Sequence, residues 1–88
     1  MKLIIAIIRD GDNDRVSNKL TDADLRVTCI ASTGGFLRSG RSTLLIGVDE
    51  SRVEDALEIL RTETTPGKSS DEKKAVVFVL NVEDFVQI

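Results

Sequence analysis

The chain has 88 residues, with 12 Lys+Arg against 15 Asp+Glu, a formal net charge of −3, no histidine, tryptophan or tyrosine, and a single cysteine. A net acidic chain without a lysine-rich stripe repels the phosphate backbone of extended nucleic acid, which sets general DNA or RNA binding aside. Without histidine the usual general base, imidazole metal ligands and any Cys-His dyad are missing, so catalysis would have to run on carboxylates, lysine, serine or threonine.

The length suits one small domain, residues 1–88. As a monomer it would bury only about 60–65% of the surface its unfolded form exposes, which favours oligomerisation. Cys29 has no second cysteine to pair with and lies in an apolar alternating run, so a buried thiol in a reducing compartment is expected. The apolar start runs directly into Arg9-Asp10-Gly11-Asp12, unlike a signal peptide, and no apolar run approaches the ~20 residues of a membrane helix. A cytoplasmic location is expected.

In chain order, residues 2–9 hold the run Leu3-Ile4-Ile5-Ala6-Ile7-Ile8, short and rich in β-branched residues, which predicts a strand buried on both faces. Asp10, Asp12 and Asp14 lack the spacing and bidentate glutamate of a calcium loop, and read as a turn and a helix start that accept from free N–H groups. Residues 14–23 place Val16, Leu20 and Ala23 at helical spacing. Residues 25–32 alternate as a second strand, which puts Arg26 and Thr28 on one face, opposite Leu25, Val27, Cys29 and Ala31.

The stretch Thr33-Gly34-Gly35-Phe36-Leu37-Arg38-Ser39-Gly40 follows, three glycines around one aromatic and one arginine. Glycines let backbone N–H groups face a ligand and an arginine adds positive charge, so the loop reads either as an anion or nucleotide cradle or as a plain turn. From residue 25 to residue 48 there are three arginines (Arg26, Arg38, Arg41) and no acidic residue. A local basic excess in an acidic chain suits a small anion held in one pocket.

Residues 42–48 predict a third strand, in which Gly47 marks a place where another group comes close to the backbone. Asp49 can cap a second helix with Val53, Ala56, Leu57 and Leu60 on one face. Residues 62–74, with Pro66-Gly67, read as a solvated loop, residues 75–80 as a strand apolar on both sides, and the tail from Val82 as a short apolar element around Phe85. The order strand, helix, strand, strand, helix, strand gives an α+β, ferredoxin-like βαββαβ sandwich with both helices on one sheet face. Strands apolar on both faces then imply a partner subunit over the other.

The strings Met1-Lys2 with Ile4-Ile5-Ala6-Ile7, Arg26 with Thr28, Thr33-Gly34-Gly35-Phe36-Leu37-Arg38 with Gly40, Gly47-Val48, and Val77-Phe78-Val79 with Phe85 and Gln87 carry a resemblance. The sequence resembles the bacterial cyclic di-AMP receptors that are relatives of the nitrogen-regulatory PII proteins. The resemblance implies a PII-like homotrimer that transduces a signal without catalysis, needs no cofactor or metal, and binds cyclic di-AMP or a related adenine nucleotide between neighbouring subunits. It also implies an unknown downstream protein partner. By the family pattern the backbone of Gly35, Phe36 and Leu37 meets phosphate and adenine, Arg26 and Thr28 flank the nucleotide, Gly47 presents a main-chain contact and Gln87 reaches in near the chain end. Arg38 joins this set or forms a surface salt bridge. The chemistry agrees: a guanidinium can stack on a base and neutralise phosphate, and Phe36 offers an apolar platform.

Asp24 and Arg41 stand where family members commonly carry asparagine. Aspartate accepts from an adenine amine but cannot donate, and brings negative charge near a dianionic ligand; Arg41 offsets that charge or fills the space of the second adenine. Residues 62–74 are also short where many relatives insert a long loop, a segment suited to carry a ligand-dependent change. The alternative function is therefore a trimeric structural or protein-interaction module that has lost nucleotide binding. Its mark would be a cleft filled by the chain's own Asp24 and Arg41. A small hydrolase using arginine and asparagine ranks below both.

Overall fold

Alternating burial along the first eight ordered residues sets the architecture. In β1 (Lys2–Arg9), Ile4, Ala6 and Ile8 are fully buried, while Leu3, Ile5 and Ile7 between them are only half-buried. The structure is a computed structural model and describes residues 1–32, 40–65 and 75–88. The chain continues through α1 (Asn13–Asp22), β2 (Arg26–Ser32), β3 (Arg41–Val48), α2 (Val53–Glu63) and β4 (Ala75–Asn81), with a single 3-10 turn ahead of each helix. The strands form one antiparallel sheet in the order β2-β3-β1-β4. This is the ferredoxin-like βαββαβ arrangement that the element order predicts.

The core lies between the helices and one sheet face. Val16 and Leu20 of α1 and Ala56 and Leu60 of α2 pack with Ile4, Ala6 and Ile8 of β1 and Leu44, Ile46 and Val48 of β3. Residues paired across an antiparallel ladder share a face. The register Leu3↔Leu80, Ile5↔Phe78 and Ile7↔Val76, continued by Ile5↔Leu45, therefore puts Leu3, Ile5, Ile7, Leu45, Val76, Phe78 and Leu80 on the other face. Among the described residues no helix covers that face, and Phe78 is 51% exposed. The expectation that β1 is buried on both faces is corrected accordingly: its second face is half-buried within one chain.

Other expectations are also corrected. Cys29 is exposed rather than buried. It lies on an edge strand along which burial fades from Leu25 through Val27, and a register shift between Cys29 and Ala31 interrupts the strict alternation expected there. Asp49 caps with its backbone only: its carbonyl accepts from the Arg52 N–H at 2.8 Å, and its side chain makes no capping bond. Of residues 62–74, Thr62 and Glu63 belong to α2, and Thr64 is buried with its hydroxyl donating to the Leu60 carbonyl at 2.7 Å; residues 66–74 lie outside the described residues. The tail from residue 82 forms neither helix nor strand.

Asp12, expected to accept from free N–H groups at the helix start, is buried and ties the two helices together instead. One oxygen accepts from Arg15 Nη2 at 2.7 Å, and the other accepts from the Thr65 N–H at 3.0 Å and the Thr65 hydroxyl at 3.2 Å. Arg15 Nε in turn donates to the Glu63 carbonyl at 2.9 Å. Removing a carboxylate from such a site leaves several donors unsatisfied, which costs about 2–3 kcal/mol. Asp12→Ala is expected to lower the melting temperature by ~10 °C. A melting temperature unchanged in calorimetry would mean that the network contributes nothing to stability.

Candidate functional site

The turn from α1 into β2 is fixed by a hydrogen-bonded helix ending. The Asp24 N–H donates to the Thr21 carbonyl at 2.9 Å and the Leu25 N–H donates to the Leu20 carbonyl at 2.9 Å. With Leu20 and Leu25 both buried, this is a Schellman ending with its apolar contact. The residue in the left-handed position is Asp24, at φ 62°, a conformation that costs a non-glycine residue on the order of 1 kcal/mol. The ending buries Leu25 and so sends Arg26, the next residue, to the open face.

Arg26 pairs with Gly47 across the β2–β3 ladder, Thr28 pairs with Leu45, and Gly47 pairs with Leu3 of β1. All five are therefore on the uncovered face. After β4 the Val82 N–H donates to the Met1 carbonyl at 3.1 Å, which continues the pairing with β1 by one residue. The tail then reaches across that face. The result is a cleft of about 640 Å³ whose lining includes Arg26, Thr28, Gly47, Phe85 and Gln87. Its floor is apolar, from Leu3 and Leu45, and its polar groups are a guanidinium, a hydroxyl and a carboxamide. A Cβ on Gly47 would stand 3.0 Å from Met1 Cε, so the close approach expected at this glycine is the Met1 side chain. Two shallower hollows adjoin the cleft, and both contain Asp24 and Arg26.

Four of the residues singled out from the sequence thus line one cleft: Arg26, Thr28, Gly47 and Gln87. Asp24 borders it through the adjoining hollows. Arg41 does not join them within the chain. It shares a face with Gly47 but pairs with Arg9, six positions further along β3, which is ~20 Å at strand spacing. Gly35, Phe36, Leu37 and Arg38 lie outside the described residues. Met1, Leu3, Leu45, Val82 and Phe85 also line the cleft and were not expected as site residues from the sequence. For Leu3 and Leu45 a signal existed, since both alternate with core positions and so share the face of Gly47.

Among the described residues no cluster of His, Cys, Asp and Glu could hold a metal, and no helix is long and apolar enough to cross a membrane.

The fold has a solved counterpart. A crystal structure of a functionally unknown protein from Pediococcus pentosaceus is 36% identical in sequence, with a TM-score of 0.77, covering 99% of this chain and 96% of that one. The family model described as cyclic-di-AMP receptor matches residues 1–71, a span that includes the Schellman turn, the Arg26–Gly47 ladder and the glycine-rich stretch. The chain belongs to the cyclic-di-AMP receptor family.

Proposed function

We propose that the protein is a non-catalytic signalling receptor that forms a PII-like homotrimer and binds cyclic di-AMP, or a related adenine nucleotide, in the clefts between subunits. The observation that carries this reading is the convergence of Arg26, Thr28, Gly47 and Gln87 on one cleft with an apolar floor of Leu3 and Leu45, on the sheet face opposite the helices. A guanidinium on an apolar floor can pair with a phosphate and stack on an adenine, Thr28 adds a hydroxyl, and Gln87 can both donate and accept.

The geometry favours a site shared by two copies. Arg26 and Gly47 stand at one end of the β2–β3 pair, whereas Ser32 and Arg41, which flank the glycine-rich stretch, stand at the other. Those ends are ~20 Å apart. A ligand that meets Arg26 and also the backbone of Gly35, Phe36 and Leu37, with Arg38 and Arg41 nearby, is reached most directly if the neighbouring subunit supplies the second group. The same separation keeps Arg41 out of its own chain's cleft, so the alternative, a trimeric module whose cleft is filled by its own Asp24 and Arg41, also needs the neighbouring subunit to supply Arg41.

Isothermal calorimetry with a panel of cyclic, linear and mononucleotides tests the reading. One cyclic di-AMP per subunit with micromolar or tighter affinity is expected, and no binding of any adenine nucleotide would overturn it. Asp24 offers a finer check. Its negative charge beside a dianion opposes binding by roughly 0.5–1 kcal/mol, so Asp24→Asn, which keeps a side chain tolerant of the left-handed turn, is expected to tighten binding about two- to fivefold. Weaker binding by the asparagine variant would mean that Asp24 does not face the phosphates.

A further inference from the structure

Arg52 ends the 3-10 turn ahead of α2, and its guanidinium is committed in two directions. Nε donates to Asp55 Oδ2 at 2.8 Å, and Nη2 donates to the Ala23 carbonyl at 2.9 Å. Ala23 is the C-cap residue of α1, and its carbonyl belongs to the peptide that joins it to Asp24. The N–H of that same peptide donates to the Thr21 carbonyl at 2.9 Å. The peptide plane immediately before the left-handed residue is thus held at both ends, on one side by its own helix and on the other by a side chain from the turn that leads into the second helix.

We infer that Arg52 is a positioning residue for the ligand cleft: by pinning the Ala23–Asp24 peptide it fixes the left-handed turn and, through it, the direction in which Arg26 enters the cleft. The inference rests on the cleft binding cyclic di-AMP as proposed above. The physical need is plain. An aspartate at φ 62° is held there by its surroundings rather than by its own preference, and Arg26 follows only two residues later. Asp55 aims the guanidinium, and the planar fork lets one residue serve both acceptors at fixed angles, which a lysine ammonium does not reproduce. Arg52 also borders a hollow that contains Asp24 and Arg26, so direct contact with the ligand is the competing role.

A double-mutant cycle separates the two roles. Glycine at position 24 adopts positive φ without support, so the clamp becomes dispensable in that background. Calorimetry with cyclic di-AMP is expected to give about a tenfold loss of affinity for Arg52→Ala when Asp24 is present, and less than about a twofold loss when Asp24→Gly is the starting point. Arg52→Lys is expected to behave like the alanine variant. In the ligand-free protein, exchange of the Leu25 amide, which closes the Schellman ending, is expected to speed up about tenfold in Arg52→Ala. Equal losses in both backgrounds, or full affinity in Arg52→Lys, would overturn the inference in favour of direct or purely electrostatic contact. If the native protein binds no cyclic dinucleotide, the receptor reading is what fails, and amide exchange decides the clamp alone: faster exchange upholds the pinned turn and unchanged exchange overturns it.

Discussion

Replacing Arg26 with alanine is expected to weaken cyclic di-AMP binding on the order of a hundredfold while the subunit keeps its fold. The loss is large because the residue stands at a junction: it lines the main cleft and both adjoining hollows, and sits directly across the ladder from Gly47. Truncating one partner of a desolvated, hydrogen-bonded charge pair costs about 2–5 kcal/mol, or roughly thirtyfold to several thousandfold in affinity. Stability should hardly change, since Arg26 is exposed and belongs to the open face rather than to the core between helices and sheet. Calorimetry on the variant, beside a thermal melt, checks both halves. Affinity within threefold of the native protein would mean that the phosphates are held elsewhere.

If the proposed trimer forms through the open sheet face, Phe78→Asp is expected to dissolve it into folded single subunits that no longer bind the nucleotide. Phe78 lies in the middle of β4, opposite Ile5, on the face where Leu3, Ile7, Leu45, Val76 and Leu80 also lie. Half of its surface is open in the isolated chain, so an aspartate there stays hydrated in the monomer and costs the fold little. In a trimer joined through this face, as proposed, the same position would be buried in each of three subunits, and each uncompensated carboxylate would cost several kcal/mol. Association should fail before folding does. Light scattering with circular dichroism distinguishes the outcomes: a folded monomer is expected, whereas an intact trimer would mean that this face is not the contact surface.

These effects arise where the sequence was most legible. β-branched runs, strand alternation and helical spacing revealed the four strands and two α-helices of the described residues, because apolar periodicity records which side of an element meets a core. The open face was legible for the same reason, as a second apolar phase with no helix left to cover it. Positions decided by long-range placement were not legible. Cys29 has the alternation of a buried residue, but burial fades along its edge strand and the register shifts beside it. Asp12 and Asp49 have the side chains of helix caps, yet one is taken by Arg15 and Thr65 and the other caps through its carbonyl. Arg41 has the right face and the wrong end of the strand for a single-chain site. The tail shows no periodic signal at all: Gln87 was legible only through the family resemblance, and Phe85 takes its place in the cleft lining only in the folded chain. The Ala23 carbonyl that Arg52 holds is likewise 29 residues distant in sequence.

Native mass spectrometry of the purified protein titrated with cyclic di-AMP measures assembly and occupancy in a single spectrum. A trimer that fills to three nucleotides, one for each subunit, is the expected result. A monomer, or a trimer that stays empty at millimolar nucleotide, would contradict a receptor whose site is built where copies of the open sheet face meet.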